Sequence, residues 1–339
     1  MYSTRAMALE GRGWWCIVLV LVALAPIPAL AQPSAPRPIV GVLHIGPEKT
    51  ETAGQARRAF ERGLMDAGWV PGRTIQVEYR YAGGNTDRLD QHARELAALP
   101  AAVIVARANR AILAATRATT TIPIVMGGAG QDPVEAGWVA SLARPGGNVT
   151  GLTLLVQDLL AKQLELLRQV APHVAKVAVI GSASAPLGAT SRQKLDTAAQ
   201  TMGVHLHYLD VQSASDIEPV FDQMQRARVG GVLVRADPIV LEANQLRFVS
   251  RAAGLRVPAM YWLASYVRAG GLMSYGPDLS AVHERSASFV DRILRGARPG
   301  DLPIEEPAKF DLLVNGRTAR TLGLTLPPSL LARASEVLD

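Results

Sequence analysis

Apolar residues along this chain fall into two alternating patterns. Short runs with little polar interruption, such as IVGVLHI (39–45), AAVIVA (101–106) and IPIVMG (122–127), are separated by stretches in which apolar side chains recur every three or four residues. The first pattern is that of strands buried on both faces, the second that of helices with one apolar stripe. Their alternation predicts parallel sheets covered by helices on both sides. In the stretch after 45, Ala53, Ala56, Phe60, Leu64 and Ala67 share one face, and Gly68 suits the C-terminal cap. IQVEYRYA (75–82) instead alternates apolar and polar, the mark of a less buried strand. A helix opened by Thr86 follows, with Leu89, Ala93 and Leu96 on one face and Pro100 as its stop. Pro123 stands at a strand start, where a missing N–H is tolerated.

After Thr153 the rhythm restarts. Helices are predicted over 159–171, 191–202, 217–228 and 241–253, and strands over 174–181, 204–211, 231–237 and 258–262. The expectation is α/β: two Rossmann-like lobes, each a doubly wound parallel sheet of similar size. The junction falls in SLARPGGNVTGLT (141–153). There Gly146 and Gly147 are expected to end a helix over 135–142, and 149–154 to carry the chain from one lobe to the other. The tail (GGLMSYGP at 270–277, a helix over 279–295, a short helix over 317–322) extends neither repeat, as if the chain revisits one lobe and returns. One lobe is therefore assigned 36–150 with 275–303, the other 151–274 with 304–339. Val149, Thr150, Gly151, Ser274 and Pro303 stand at the passages as hinge residues.

A chain of 339 residues is long enough for two cores. Residues 1–31 read as an export signal: Arg5 and Arg12 precede the apolar run 14–27, and Ala29, Leu30 and Ala31 supply a small-x-small cleavage site before Gln32. The lone cysteine, Cys16, lies inside that signal. Disulfides, thiolate metal sites and cysteine catalysis are thereby excluded from the mature chain. No later run is long enough to span a membrane. The net charge of +6 comes from basic residues interleaved with acidic ones, as in RRAFERGLMD, so nucleic acid is not an expected partner.

No Walker loop, GxGxxG after the first strand, GxSxG elbow or HExxH is present. His205 and His207, two apart on a strand, share a face but lack a third ligand, so no metal or cofactor is called for. In open parallel sheets ligands sit beyond the carboxyl ends of the strands. Those positions supply the candidate ligand-binding residues: His44 and Gly46; Arg107 and Asn109; Gly128, Ala129 and Asp132; Ser182 and Ser184; Asp237; Tyr261 and Trp262; and Tyr275. Asn109 and Asp132 suit helix caps equally well. Arg107 and the aromatic pair are less expected in a plain turn.

Four stretches carry a family likeness: GLMDAGWVPGRTIQVEYRYAGGNTDRL, IPIVMGGAGQDPVEAGWVASLARPGGNVTGLT, RAGGLMSYGPD and EEPAKFDLLVNGRTARTLGLTLPPSLLARASEVLD. Together they resemble the bacterial ABC transporter substrate-binding proteins, TrpX-like periplasmic solute receptors. The resemblance implies a type I periplasmic binding protein fold, two lobes joined by three crossovers, and a ligand held in the cleft without being changed. It also implies a monomer in the periplasm, with an ABC permease and its ATPase as partners. The alternatives are a sensory receptor facing a membrane kinase and an exported enzyme. The chain departs from the family pattern at Arg107-Ala108-Asn109-Arg110, which points to a ligand with a carboxylate or other anionic group, such as an amino acid or another small carboxylate or aromatic compound.

Overall fold

The structure is a computed structural model that describes residues 36–339 apart from 155, 184, 238 and 239. The expected export signal with Cys16, and Ser184, lie outside the described residues. The apolar runs form a first sheet of β1 (Ile39–His44), β2 (Gln76–Tyr81), β3 (Ala101–Arg107), β4 (Ile124–Ala129) and β5 (Val149–Thr153), all parallel, in the order β2-β1-β3-β4-β5. Helices α1 (Glu51–Asp66), α2 (Thr86–Ala98) and α3 (Asn109–Ala118) make the crossovers. The alternating strand β2 is an edge, which explains its polar positions, while β4 is buried along its length.

In the second lobe α4 (Leu160–Val170), β6 (Lys176–Ser182), α5 (Ala189–Thr201), β7 (His205–Val211), α6 (Ile217–Arg226), β8 (Gly231–Val234), α7 (Gln245–Gly254), β9 (Ala259–Tyr261), α8 (Ala264–Arg268) and β10 (Met273–Pro277) follow. After α9 (Leu279–Leu294) come β11 (Phe310–Asn315), α10 (Gly316–Thr321), α11 (Pro328–Leu331) and β12 (Glu336–Leu338). The strand order is β12-β11-β10-β9-β8-β6-β7. The two sheets are therefore unequal, because β11 joins antiparallel to β10 and carries β12 beside it. Of the tail, the strands β10, β11 and β12 extend the second sheet, while α9 returns to the first lobe.

Two expectations at the junction need correction. Residues 135–142 form turns, not a helix: Asp132 Oδ1 caps the turn by accepting from the Val134 N–H at 2.7 Å, and Gly137 at φ 71° breaks any helical run. The stretch 149–154 does not pass between lobes either, since β5 is paired with β4 throughout. The passage begins after Leu154. Likewise Ser274 lies within the second sheet, between Leu313 and Tyr261, and the chain leaves that sheet only after Pro277. Pro303 is pinned to the first lobe by its neighbours. Thr150 Oγ1 donates to the Leu302 carbonyl at 2.7 Å and Ile304 N to that of Leu142 at 2.8 Å. The ladder runs on to Glu305, whose N–H donates to the Gly151 carbonyl at 3.0 Å. Each passage thus starts where backbone partners end, two or three residues beyond Gly151, Ser274 and Pro303.

The helix α9 packs along α1 and against β3, β4 and β5, so it belongs with the first lobe. One apolar cluster fills a face of each sheet, and a third runs through Leu152, Leu154 and Val156 to join both lobes.

Candidate functional site

Each sheet reverses its strand order once at a central strand: between β1 and β3 in the first, between β6 and β8 in the second. Loops diverge at such a switch point and leave a crevice. At the first, His44 and Arg107 end β1 and β3 as register partners. At the second, Arg235 follows β8 and reaches across the end of β6, where its Nη2 donates to the Ala185 carbonyl at 2.6 Å. Residues from both crevices and from the passage after β5 line one cavity of ≈ 200 Å³.

Arg107 dominates the first wall. It is only 2% exposed. Its Nη2 donates to the Ala56 carbonyl at 3.3 Å and its guanidinium lies 5.6 Å from the Phe60 ring centroid. Among the described residues Nε and Nη1 have no partner, and no carboxylate pairs with the guanidinium. The nearby acid, Glu61, is already engaged by Arg57 Nε at 2.8 Å and by the Tyr79 hydroxyl at 3.1 Å. A buried cation without a counter-ion is costly, and this one faces a cavity. Directly after it Ala108 adopts φ 69°, a strained turn into α3.

Two imidazoles flank the guanidinium. His44 Nδ1 accepts from the Gly46 N–H at 2.9 Å, and its ring lies 5.6 Å from that of Tyr81. Burial, reinforced by the charge of Arg107, pushes its pKa down to about 4. His283, from α9, is buried with Nδ1 unpartnered among the described residues, and burial, then Arg107 and His44, hold it well below the ordinary histidine range. At neutral pH both imidazoles are therefore neutral, and the cations lining this wall are the guanidinium groups of Arg107 and of Arg110, in the first turn of α3.

The second wall mixes donors and acceptors, with the Arg235 guanidinium lining it beside Asp237, Glu242 and Trp262. Asp237 is buried and takes the N–H of Val240 at 2.6 Å and of Leu241 at 3.2 Å. Burial, then the neighbouring Asp237, raises the Glu242 carboxyl to about 8. Gln163 donates its Nε2 to the Tyr275 carbonyl at 2.7 Å, while its Oε1 and Trp262 Nε1 are left without partners among the described residues. Leu154, Val156, Leu160 and Leu279 supply apolar surface between the polar groups.

Of the residues expected at the cleft, His44, Gly46, Arg107, Asn109, Gly128, Asp237 and Trp262 line the cavity. Asn109 does not cap its helix. Its Oδ1 accepts from the N–H groups of Gly130 at 2.7 Å and Gln131 at 3.3 Å, tying β3 to the loop after β4. Ala129, Asp132, Ser182, Tyr261 and Tyr275 stand elsewhere. Ala129 is buried, with its carbonyl accepting from Leu154 N at 2.6 Å. Asp132 caps the turn already described. Ser182 is buried in register with Val211. Tyr261 is buried with its ring stacked on Tyr266 at 4.7 Å, and Tyr275 stacks on Phe310 at 5.9 Å. Strand-end position alone does not tell which side of the sheet a side chain takes.

Arg235, His283, Glu242, Gln163, Leu154 and Val156 were not among the sequence candidates. For Arg235 a signal existed in Gly181, inside the β6 run. A Cβ there would lie 2.2 Å from Arg235 Nη1, so the glycine makes room for the guanidinium. Gly127 does the same for Arg107, whose Cγ would meet a Cβ at 3.0 Å. His283 gave no signal, because α9 returns to the cleft from more than 150 positions away in sequence. His205 and His207 lie on the edge strand β7, and no group of metal-ligating side chains is found among the described residues. None of the described helices is long and apolar enough to cross a membrane.

Comparison with known proteins agrees with this architecture. Residues 49–338 match the family described as ABC transporter substrate binding protein. A tyrosine-binding protein of Clostridioides difficile (strain R20291) is 24% identical over 80% of this chain and 77% of its own. A conserved domain protein from Vibrio cholerae superposes with a TM-score of 0.81 at 27% identity, covering 88% of this chain and 99% of that one. A Streptococcus pneumoniae ABC domain in complex with L-Trp has a TM-score of 0.81 at 23% identity, covering 89% of this chain and 100% of its own.

Proposed function

The chain belongs to the ABC transporter substrate-binding protein family, and on that premise we propose an exported receptor that holds a small organic carboxylate, amino acids included, between its lobes. It delivers that solute unchanged to a membrane permease driven by a cytoplasmic ATPase. The observation that carries the reading is Arg107, a buried cation at the cleft, two of whose nitrogens find no partner among the described residues. An anionic group seated there supplies the missing charge and acceptors. Asp237, Glu242 and Gln163 Oε1 on the other wall suit an amino or hydroxyl group, and the apolar side chains between them suit a hydrocarbon or aromatic body. The tyrosine-binding relative and the L-Trp complex support a solute of this size and chemistry. Export through residues 1–31 to the periplasm belongs to the same reading.

A thermal-shift panel of amino acids, aliphatic dicarboxylates and aromatic carboxylates, followed by mass analysis of the recovered compound, tests it. Carboxylates are expected to raise the melting temperature and neutral analogues, such as the corresponding amides, are not. Equal response to acid and amide, or recovery of an altered compound, would count against the reading.

Closure of the lobes over the ligand is part of the proposal. One contact between the lobes supports it: Thr190 Oγ1 on α5 donates to Glu135 Oε1, from the loop after β4, at 2.7 Å. Such a bond contributes about 1 kcal/mol to the closed form. Thr190→Val is expected to speed release of the ligand found by the panel roughly fivefold, with association unchanged. Stopped-flow release at the wild-type rate would remove this contact from the closing mechanism.

A further inference from the structure

Three nitrogen-bearing side chains meet on the first wall of the cleft: Arg107 from β3, His44 from the adjacent strand and His283 from α9. Nε and Nη1 of Arg107 and Nδ1 of His283 are buried without partners among the described residues. Little opposing charge surrounds them. From β2, Tyr79 and Tyr81 present phenols; from α1, Glu61 and Arg57 are bonded to one another. The strands β4 and β5, packed against α9, carry no titratable side chain. Glu284 on α9 faces Arg62 at 4.0 Å. Arg110, in the first turn of α3, lines the cavity on the same side, and across it stand Arg235, Asp237 and Glu242.

We propose that His44 and His283 complete the anion site of Arg107, and that one of them takes up a proton as the anionic group of the ligand binds. This inference rests on the reading of the cleft as a receptor for an anionic solute. In the ligand-free protein, burial and the guanidinium together keep both imidazoles neutral. An anion against Arg107 cancels that charge and adds its own beside the rings. The second cause then changes sign, and protonation becomes favourable. Proton and anion bind cooperatively, so affinity rises as pH falls, by up to about tenfold per pH unit per proton between the free and bound pKa values.

The ligand-free protein behaves in the opposite sense. Its histidine pKa values are depressed, so the unfolded chain binds protons that the fold refuses, and stability falls as pH drops from 6.5 towards about 4. A bound anion offsets that loss.

Benzoate is the probe of choice for the test. It has no amino group, so it displaces no proton from Glu242, which is already protonated at the acid side of its value of about 8. Isothermal calorimetry near pH 6 in two buffers of different ionisation enthalpy reads the protons taken up per benzoate bound. About one proton is expected, with benzoate at least fivefold tighter near pH 5.5 than near pH 7. The His44→Gln, His283→Gln double variant is expected to lose both effects. Benzoate binding without proton uptake in the wild type overturns this inference and leaves the receptor reading standing. Uptake that persists in the double variant overturns it as well. Failure of every carboxylate, benzoate and panel members alike, to bind at any pH overturns the receptor reading and this inference together.

Discussion

Arg107→Met is expected to weaken binding of an anionic ligand by more than tenfold while making the ligand-free protein more stable. The first effect follows from the loss of charge-assisted hydrogen bonds in a dry site, about 1.5–3 kcal/mol, which corresponds to roughly 10- to 150-fold in affinity. The second follows from the fold around the residue. Arg107 is 2% exposed, holds only a 3.3 Å hydrogen bond to the Ala56 carbonyl, and has no counter-ion among the described residues. Removing such a charge relieves a desolvation cost, and methionine fills the slot over Phe60 with little change in volume. A gain of about 1–3 kcal/mol in unfolding free energy is expected, read from urea denaturation without ligand. A purely structural arginine would give the reverse pair, lower stability with unchanged affinity. Arg107→Lys keeps the charge on a shorter point donor and falls between the two.

Those opposed signs also explain why the site was only partly legible in the sequence. The strands and helices were legible because their periodicity reports burial, and burial is what the fold requires of them. That is why β1, β3 and β4 stand out as continuous apolar runs and α1 as a three-to-four repeat. Arg107 stood out for the converse reason: a guanidinium at the end of an apolar strand is unfavourable unless something outside the fold accounts for it. Tyr261 shows where that logic stops. It follows the same rule of position as Trp262, yet successive residues point to opposite sides of a strand, and Tyr261 goes under the floor to stack on Tyr266. His283 and Arg235 came from a different limit. Their place at the cleft depends on which helix returns to which lobe and on how far a long side chain reaches, and neither leaves a local pattern. The junction was misplaced by a few residues because glycines mark where a backbone can bend, whereas the lobes part where hydrogen-bond partners run out.

That distinction sharpens into the last expectation, which concerns the three glycines of PGGNVTG. Gly151 lies in β5 at φ 119°, outside the region that side chains adopt readily, and a Cβ there would stand 2.5 Å from both the N and the O of Met126. The obstacle is backbone of the neighbouring strand, so it cannot rotate away. The carbonyl of the same residue accepts the N–H of Glu305 at 3.0 Å, which places it where β4, β5 and the returning chain converge beside the passages between lobes. Gly151→Ala combines a strained φ with overpacking, each of order 1–3 kcal/mol, and is expected to cost about 3 kcal/mol or more. At Gly147, by contrast, an added Cβ would meet nothing within 4 Å, and Gly147→Ala should change stability by less than about 0.5 kcal/mol. Urea denaturation of the two variants side by side decides the matter. If Gly151→Ala unfolds at the same midpoint as Gly147→Ala, the close approach of β5 to Met126 does not constrain the fold. If it unfolds far earlier, the glycine that looked like a hinge from sequence is a packing requirement of the first sheet, and the bending falls to the residues after Leu154.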